Sequence, residues 1–204
     1  MGPQSDIGSH AGRVGGTAAL QRSLLRVEVV ADGADWTILD GLDVGAAVAE
    51  LAVAIAAHVE LPAPNSTATA ALSHDADVQA LNKAWRGQDK PTNVLSFPSP
   101  AGAAVQDPMA EVFLGDVILA EATLACEAAA MDIAAADHFR HLVLHGLLHL
   151  LGFDHETDAE AARMEALETQ ILAGLGVADP YAGMEPAEQP GPAGSSPPPG
   201  ATHA

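Results

Sequence analysis

The chain has 204 residues, 49% of them hydrophobic and only 3% aromatic, with 27 acidic against 8 basic side chains and a formal net charge of -19 at pH 7. That length suits one domain with tails, and the charge excludes a generic nucleic-acid binder, which needs many lysines and arginines for phosphate. The lone cysteine, Cys126, excludes an internal disulfide, keeps thiolates out of any metal site and suits a reducing cytosol; its expected role is helix packing.

Residues 1–22 are rich in glycine, serine and other small residues without periodicity, so a disordered tail is expected there. The first residues lack the basic start and apolar stretch of a secretory signal, and no apolar run approaches a membrane span. Cytoplasmic residence without membrane contact is the expectation. Residues 25–31 alternate as a strand, and residues 43–58 carry apolar side chains at helical spacing until Pro62 and Pro64 intervene. A strand at 67–73 and a helix at 75–85 follow. Residues 94–97 and 112–119 read as further strands, the second apolar enough to lie inside a sheet.

Helices fill the remainder: 120–130, then 133–151 with Asp132 as its expected N-cap, then 158–173. Thr157 followed by Glu160 makes a capping box that starts the last of these just after His155, and Met164, Leu167, Ile171 and Leu175 form its core stripe. Residues 178–204 hold most of the prolines and are expected to be a second disordered tail. Residues 23–177 therefore read as a single α+β domain, a small mixed four-stranded sheet packed with about five helices.

The chemistry centres on His145-Gly-Leu-Leu-His149-Leu-Leu-Gly-Phe-Asp-His155. His145 and His149 lie four residues apart, so on a helix they stand on one face, one turn above the other. Gly152 permits the positive φ that ends the helix and turns the chain back, bringing His155 to the same point. Three neutral imidazoles leave one tetrahedral position open for water, the arrangement of a catalytic zinc rather than a structural one. One Zn2+ per chain on His145, His149 and His155 is expected. The spacing matches the metzincin pattern, except that Gly146 stands where a peptidase has its glutamate base. Glycine inside a helix costs about 1 kcal/mol relative to alanine, so substrate or a neighbouring helix is expected to approach its backbone. His141 lies eight residues before His149, about 12 Å along the axis, and so takes a supporting or surface role.

This stretch resembles the signature of the YbeY family of bacterial metal-dependent endoribonucleases, as do residues 81–98, LNKAWRGQDKPTNVLSFP, and residues 114–119, LGDVIL, in the family's order. Asn93 stands where the family usually has Asp, and Phe153 where Tyr is common. The resemblance implies a hydrolase cutting single-stranded RNA, acting in 16S rRNA 3'-end maturation and ribosome quality control, with the small ribosomal subunit and its assembly factors as partners and no DNA substrate. It also places the family's functional arginine at Arg86, whose guanidinium fork suits a bidentate phosphate contact; without the resemblance Arg86 is one of several exposed cations. Lys83, Arg86 and Lys90 offer a local basic patch on an acidic protein.

Arg86 and His145 are thus the expected catalytic residues. The general base stays open between the metal-activated water itself, His141 and Asp116. Asp154 either accepts the remaining ring N–H of His155 or serves the turn. Phe97 is read as core first and a base-stacking surface second. Two alternative functions share these residues, a zinc metallopeptidase-like hydrolase and a non-catalytic zinc-stabilised ribosome-binding module.

Overall fold

The computed structural model describes residues 23–31, 33, 36–100 and 111–182. Four strands and five α-helices follow in the order β1 (Leu24–Ala31), α1 (Val44–His58), β2 (Asn65–Ser73), α2 (Asp75–Arg86), β3 (Val94–Pro98), β4 (Glu111–Ala120), α3 (Glu121–Met131), α4 (Ala135–Leu150) and α5 (Asp158–Gly174). A short 3-10 helix, Trp36–Leu39, precedes α1. The sheet order is β1-β2-β4-β3, with β1, β2 and β4 parallel and the edge strand β3 antiparallel to β4. The α+β reading of one small mixed sheet with five helices therefore holds.

The period-2 rule divides β3 between two environments. Leu95 and Phe97 face α2, where Leu95 is buried with Val78 and Ala120 and Phe97 packs on that cluster. Val94, Ser96 and Pro98 alternate to the other side, which α4 covers. The larger core lies there, built from β-strand residues such as Val117 and Leu119 and from Leu51, Ile55, Leu144, Leu147, Leu148 and Ile171 of α1, α4 and α5. Burial of such side chains is worth about 1.5–3 kcal/mol each, and α4 contributes most of its length to it.

One irregularity matters for β4. Its register against β2 jumps between Thr67 and Thr69, leaving one extra residue on β4. Gly115 occupies that bulge with φ +136, and a Cβ there would stand 2.2 Å from the Phe97 carbonyl oxygen; only glycine fits.

Two expectations are corrected. Asp132 does not cap α4; it closes α3 in the left-handed region with φ 55, and α4 begins three residues later, at Ala135, behind Ala134, which makes no side-chain cap. The α3–α4 connection needed a left-handed residue more than a cap, and aspartate tolerates that conformation. Cys126 is exposed on α3 rather than packed. The capping box at Thr157 and Glu160 is present as expected. Residues 1–22 lie outside the described residues. Of the stretch read as a C-terminal tail, residues 178–182 are described and pack against the domain, and 183–204 lie outside. No helix among the described residues is long and apolar enough to cross a membrane.

Candidate metal centre

Helix α4 presents the centre. Phe139, Leu142, Val143, Leu144, Leu147 and Leu148 bury most of its circumference, which fixes its rotation and leaves His145 and His149, one turn apart, on the face towards a cleft of about 590 Å³. Gly152 ends the helix at φ +87, as its sequence position predicted, with its own N–H donating to the His149 carbonyl at 3.0 Å and the Phe153 N–H to Leu148 at 3.0 Å. The next helix starts at Asp158, so His155 sits in a short loop clamped at both ends.

The three imidazoles converge. Ring centroids are 4.6 Å apart for His145 and His149, 5.0 Å for His149 and His155, and 5.6 Å for His145 and His155. Nε2 of His145 and Nε2 of His149 stand 3.1 Å apart, and one nitrogen from each of the three lies within 4.8 Å of the others. Two nitrogens bound to one tetrahedral zinc at 2.0–2.1 Å would be roughly 3.3 Å apart, so the donor set fits that ion with little rearrangement. Burial, then the neighbouring His145 and His155, push the His149 imidazole below its ordinary value, favouring the neutral form that a metal requires.

Behind the cluster lies a group that the sequence reading missed. Glu168 of α5 has a side chain 0% exposed, and its Oε1 accepts from His145 Nδ1 at 2.9 Å. With Nδ1 donating, Nε2 is the nitrogen left to a metal. Burial alone would raise the Glu168 carboxyl, but hydrogen bonds from His141, His145 and Tyr181 outweigh it and hold the carboxyl at about 2, so it stays ionised. Glu168 follows Met164 by four residues and precedes Ile171 by three, so a charged residue inside the apolar stripe was the available signal. Tyr181, the chain's single tyrosine, carried none beyond being an aromatic in a stretch read as tail.

The other expected residues separate. Arg86, at the C-terminal end of α2, lines the same cleft as His145, His149, His155, Asn93 and Ser96. Lys83 is engaged elsewhere, its Nζ 2.6 Å from Asp89, so the basic patch narrows to Arg86 and the exposed Lys90. His141 is removed from the triad, its Nε2 3.4 Å from the Tyr181 hydroxyl and 3.5 Å from Glu168 Oε2. Asp154 Oδ1 accepts from the His155 backbone N–H at 2.8 Å, which is the turn role. Phe97 packs edge-on against Trp85 with centroids 5.8 Å apart, on the side of β3 away from the cleft, so its core role is the one seen. Asn93 opens β3, accepting from the Val94 N–H at 2.7 Å and donating to Glu127 at 2.8 Å.

Gly146 is approached by the sheet rather than by a neighbouring helix: a Cβ there would stand 2.4 Å from Val117 Cγ1, and Ser96 Oγ donates to its carbonyl at 3.2 Å. A peptidase glutamate could not be built at this position without displacing α4 from β4.

Known proteins match most of the described chain. Residues 42–176 match the family model described as Endoribonuclease YbeY. The Endoribonuclease YbeY of Azorhizobium caulinodans is 46% identical over 162 residues, 78% of this chain and 97% of that protein. That of Sinorhizobium medicae is 43% identical over 79% of this chain and 98% of its own length. That of Rhodospirillum rubrum is 56% identical over 124 residues, 59% of this chain and 60% of that protein. A solution structure from Thermotoga maritima superposes with a TM-score of 0.47 at 18% identity, covering 80% of this chain and 99% of that one.

Proposed function

The chain belongs to the YbeY family of endoribonucleases, and from that premise we propose that it is a zinc-dependent endoribonuclease cutting single-stranded RNA, with His145, His149 and His155 holding one zinc and Arg86 binding the phosphate. The observation that carries this reading is the convergence of three imidazoles in the cleft that Arg86 also lines. Zinc, when bound, lowers the pKa of a coordinated water to about 7 and polarises a phosphoryl oxygen, both of which suit phosphodiester hydrolysis.

The chain's own residues would do the rest. Glu168 keeps the His145 ring oriented. Arg86 binds a non-bridging phosphate oxygen and the charge that develops as the bond breaks. On an acidic protein this single guanidinium, beside the exposed Lys90, gives the backbone of an RNA strand a local landing point. Action on 16S rRNA 3' ends and in ribosome quality control, in the cytoplasm, with the small ribosomal subunit as partner, is inferred from the family resemblance.

The test is a side-by-side assay of a single-stranded RNA and a peptide with zinc-loaded wild type and His149→Ala. The reading expects RNA cleavage only, lost in the variant together with the metal. Peptide hydrolysis, or RNA cleavage undiminished in a metal-free His149→Ala protein, would reject it.

A further inference from the structure

We propose that Tyr181 is a positioning residue of the metal centre: from the segment after α5 its hydroxyl holds the buried Glu168 carboxylate, which in turn holds the His145 ring with Nε2 facing His149 and His155. The inference rests on the metal-centre reading above.

The chain of contacts is continuous. Glu168 has two oxygens and a side chain 0% exposed, so no bulk water completes its coordination. Oε1 accepts from His145 Nδ1 at 2.9 Å, and Oε2 accepts from the Tyr181 hydroxyl. His141 Nε2, 3.5 Å from Oε2 and 3.4 Å from the tyrosine oxygen, closes the same network at longer range. Without the hydroxyl, Oε2 keeps only that long contact, and the carboxylate is free to rotate away from His145.

Tyr181 is itself held in place. Its backbone N–H donates to Asp179 Oδ1 at 3.0 Å, and the same oxygen accepts from Thr169 of α5 at 3.0 Å. Its ring meets His141 edge-on with centroids 5.6 Å apart. A residue four positions past the expected end of the domain would thus complete the support of a ligand that lies 36 positions earlier in the chain.

His141, His145 and Glu168 also bring donor atoms within 4.8 Å of one another, a set that could hold a cation of its own. In the folded chain His145 already donates to Oε1, and Tyr181 covers Oε2 and pairs with His141, which favours support over a second site.

The experiment uses the full chain as wild type, Tyr181→Phe, Glu168→Gln and the double variant. Zinc affinity is read by competition with a chromophoric chelator, and the His145 tautomer by ring-nitrogen spectra of the metal-free protein. Outer partners of ligating histidines typically change metal affinity 10–100-fold. Glu168→Gln should therefore weaken zinc on the order of 10–100-fold, and Tyr181→Phe on the order of tenfold. The double variant should be no weaker than Glu168→Gln, because Tyr181 acts through that residue. The His145 ring proton should sit on Nδ1 in wild type and be shared between both nitrogens in Tyr181→Phe.

Unchanged zinc affinity in Tyr181→Phe with only a lower thermal midpoint would reduce Tyr181 to a structural contact and overturn the proposal. Losses that multiply in the double variant, or uptake of two zinc ions per chain, would overturn it as well. A wild type that takes up no zinc would sink the metal-centre reading itself, and the metal-free tautomer would still decide whether Tyr181 positions His145.

Discussion

Gly146 of α4 faces Val117 of β4 so closely that a Cβ built on the glycine would stand 2.4 Å from Val117 Cγ1. The valine is fully buried and β-branched, so it has little room to turn aside. Overpacking of this kind costs about 1–3 kcal/mol, while alanine gains about 1 kcal/mol in helix propensity. Gly146→Ala is therefore expected to lose stability in urea unfolding, and with α4 displaced it should also bind zinc more weakly. A Gly146→Ala protein as stable as wild type, with unchanged zinc affinity, would show that the contact relaxes freely.

Metal content separates the ligands from their neighbour. Elemental analysis should find about one zinc per chain, lost in His145→Ala, His149→Ala and His155→Ala and retained in His141→Ala, whose ring lies on the Glu168 and Tyr181 side. Equal loss in His141→Ala would move the metal to the other side of His145.

Much of this arrangement is legible in sequence because it is local. The i, i+4 histidines, the glycine that must end their helix and the Thr157 capping box depend on neighbours within one or two turns. Strand and helix positions followed from periodicity for the same reason. What was not legible is long-range. Nothing near Glu168 in the chain says that His145 and Tyr181 meet it, and nothing near Gly146 names Val117. Asp132 shows a different limit: aspartate serves both as an N-cap and in the left-handed region, and only the α3–α4 connection decides between them.

Acidification should destabilise the metal-free protein. Burial, only partly opposed by Glu127, pushes the His138 imidazole below 6.5. Its folded-state value is depressed, so its contribution is present above pH 6.5 and is lost as the pH falls through the folded value. The urea midpoint should fall from pH 7.5 to pH 5, and His138→Asn should flatten that slope. A midpoint that rises on acidification would contradict the assignment.

Truncation should distinguish the last described residues from those beyond them. Ending the chain after Ala182 should leave the thermal midpoint nearly unchanged, since the proline-rich remainder has few apolar side chains to pack. Ending it after Ala178 removes the Tyr181 hydroxyl from a buried carboxylate, a loss of about 1–3 kcal/mol. Ending it at residue 165 deletes Glu168, Ile171 and Leu172 and should unfold the domain. Equal midpoints for the cuts at 178 and 182 would show that the Tyr181 contact contributes nothing to stability.

The central claim is that Arg86 and the three histidines form one phosphodiester-cleaving site, and single-turnover cleavage of a single-stranded RNA by Arg86→Ala tests it most directly. Circular dichroism and zinc content are checked on the same samples. Removing one preorganised contact to the developing charge typically costs on the order of 100 to 1000-fold in rate, about 2.7–4 kcal/mol. Arg86→Lys should recover only part of that loss, because a point charge cannot reproduce the planar fork. The account predicts a folded, zinc-loaded Arg86→Ala protein whose cleavage rate has fallen by that much. A wild-type rate in that protein would contradict it and turn attention to Lys90 for the phosphate contact.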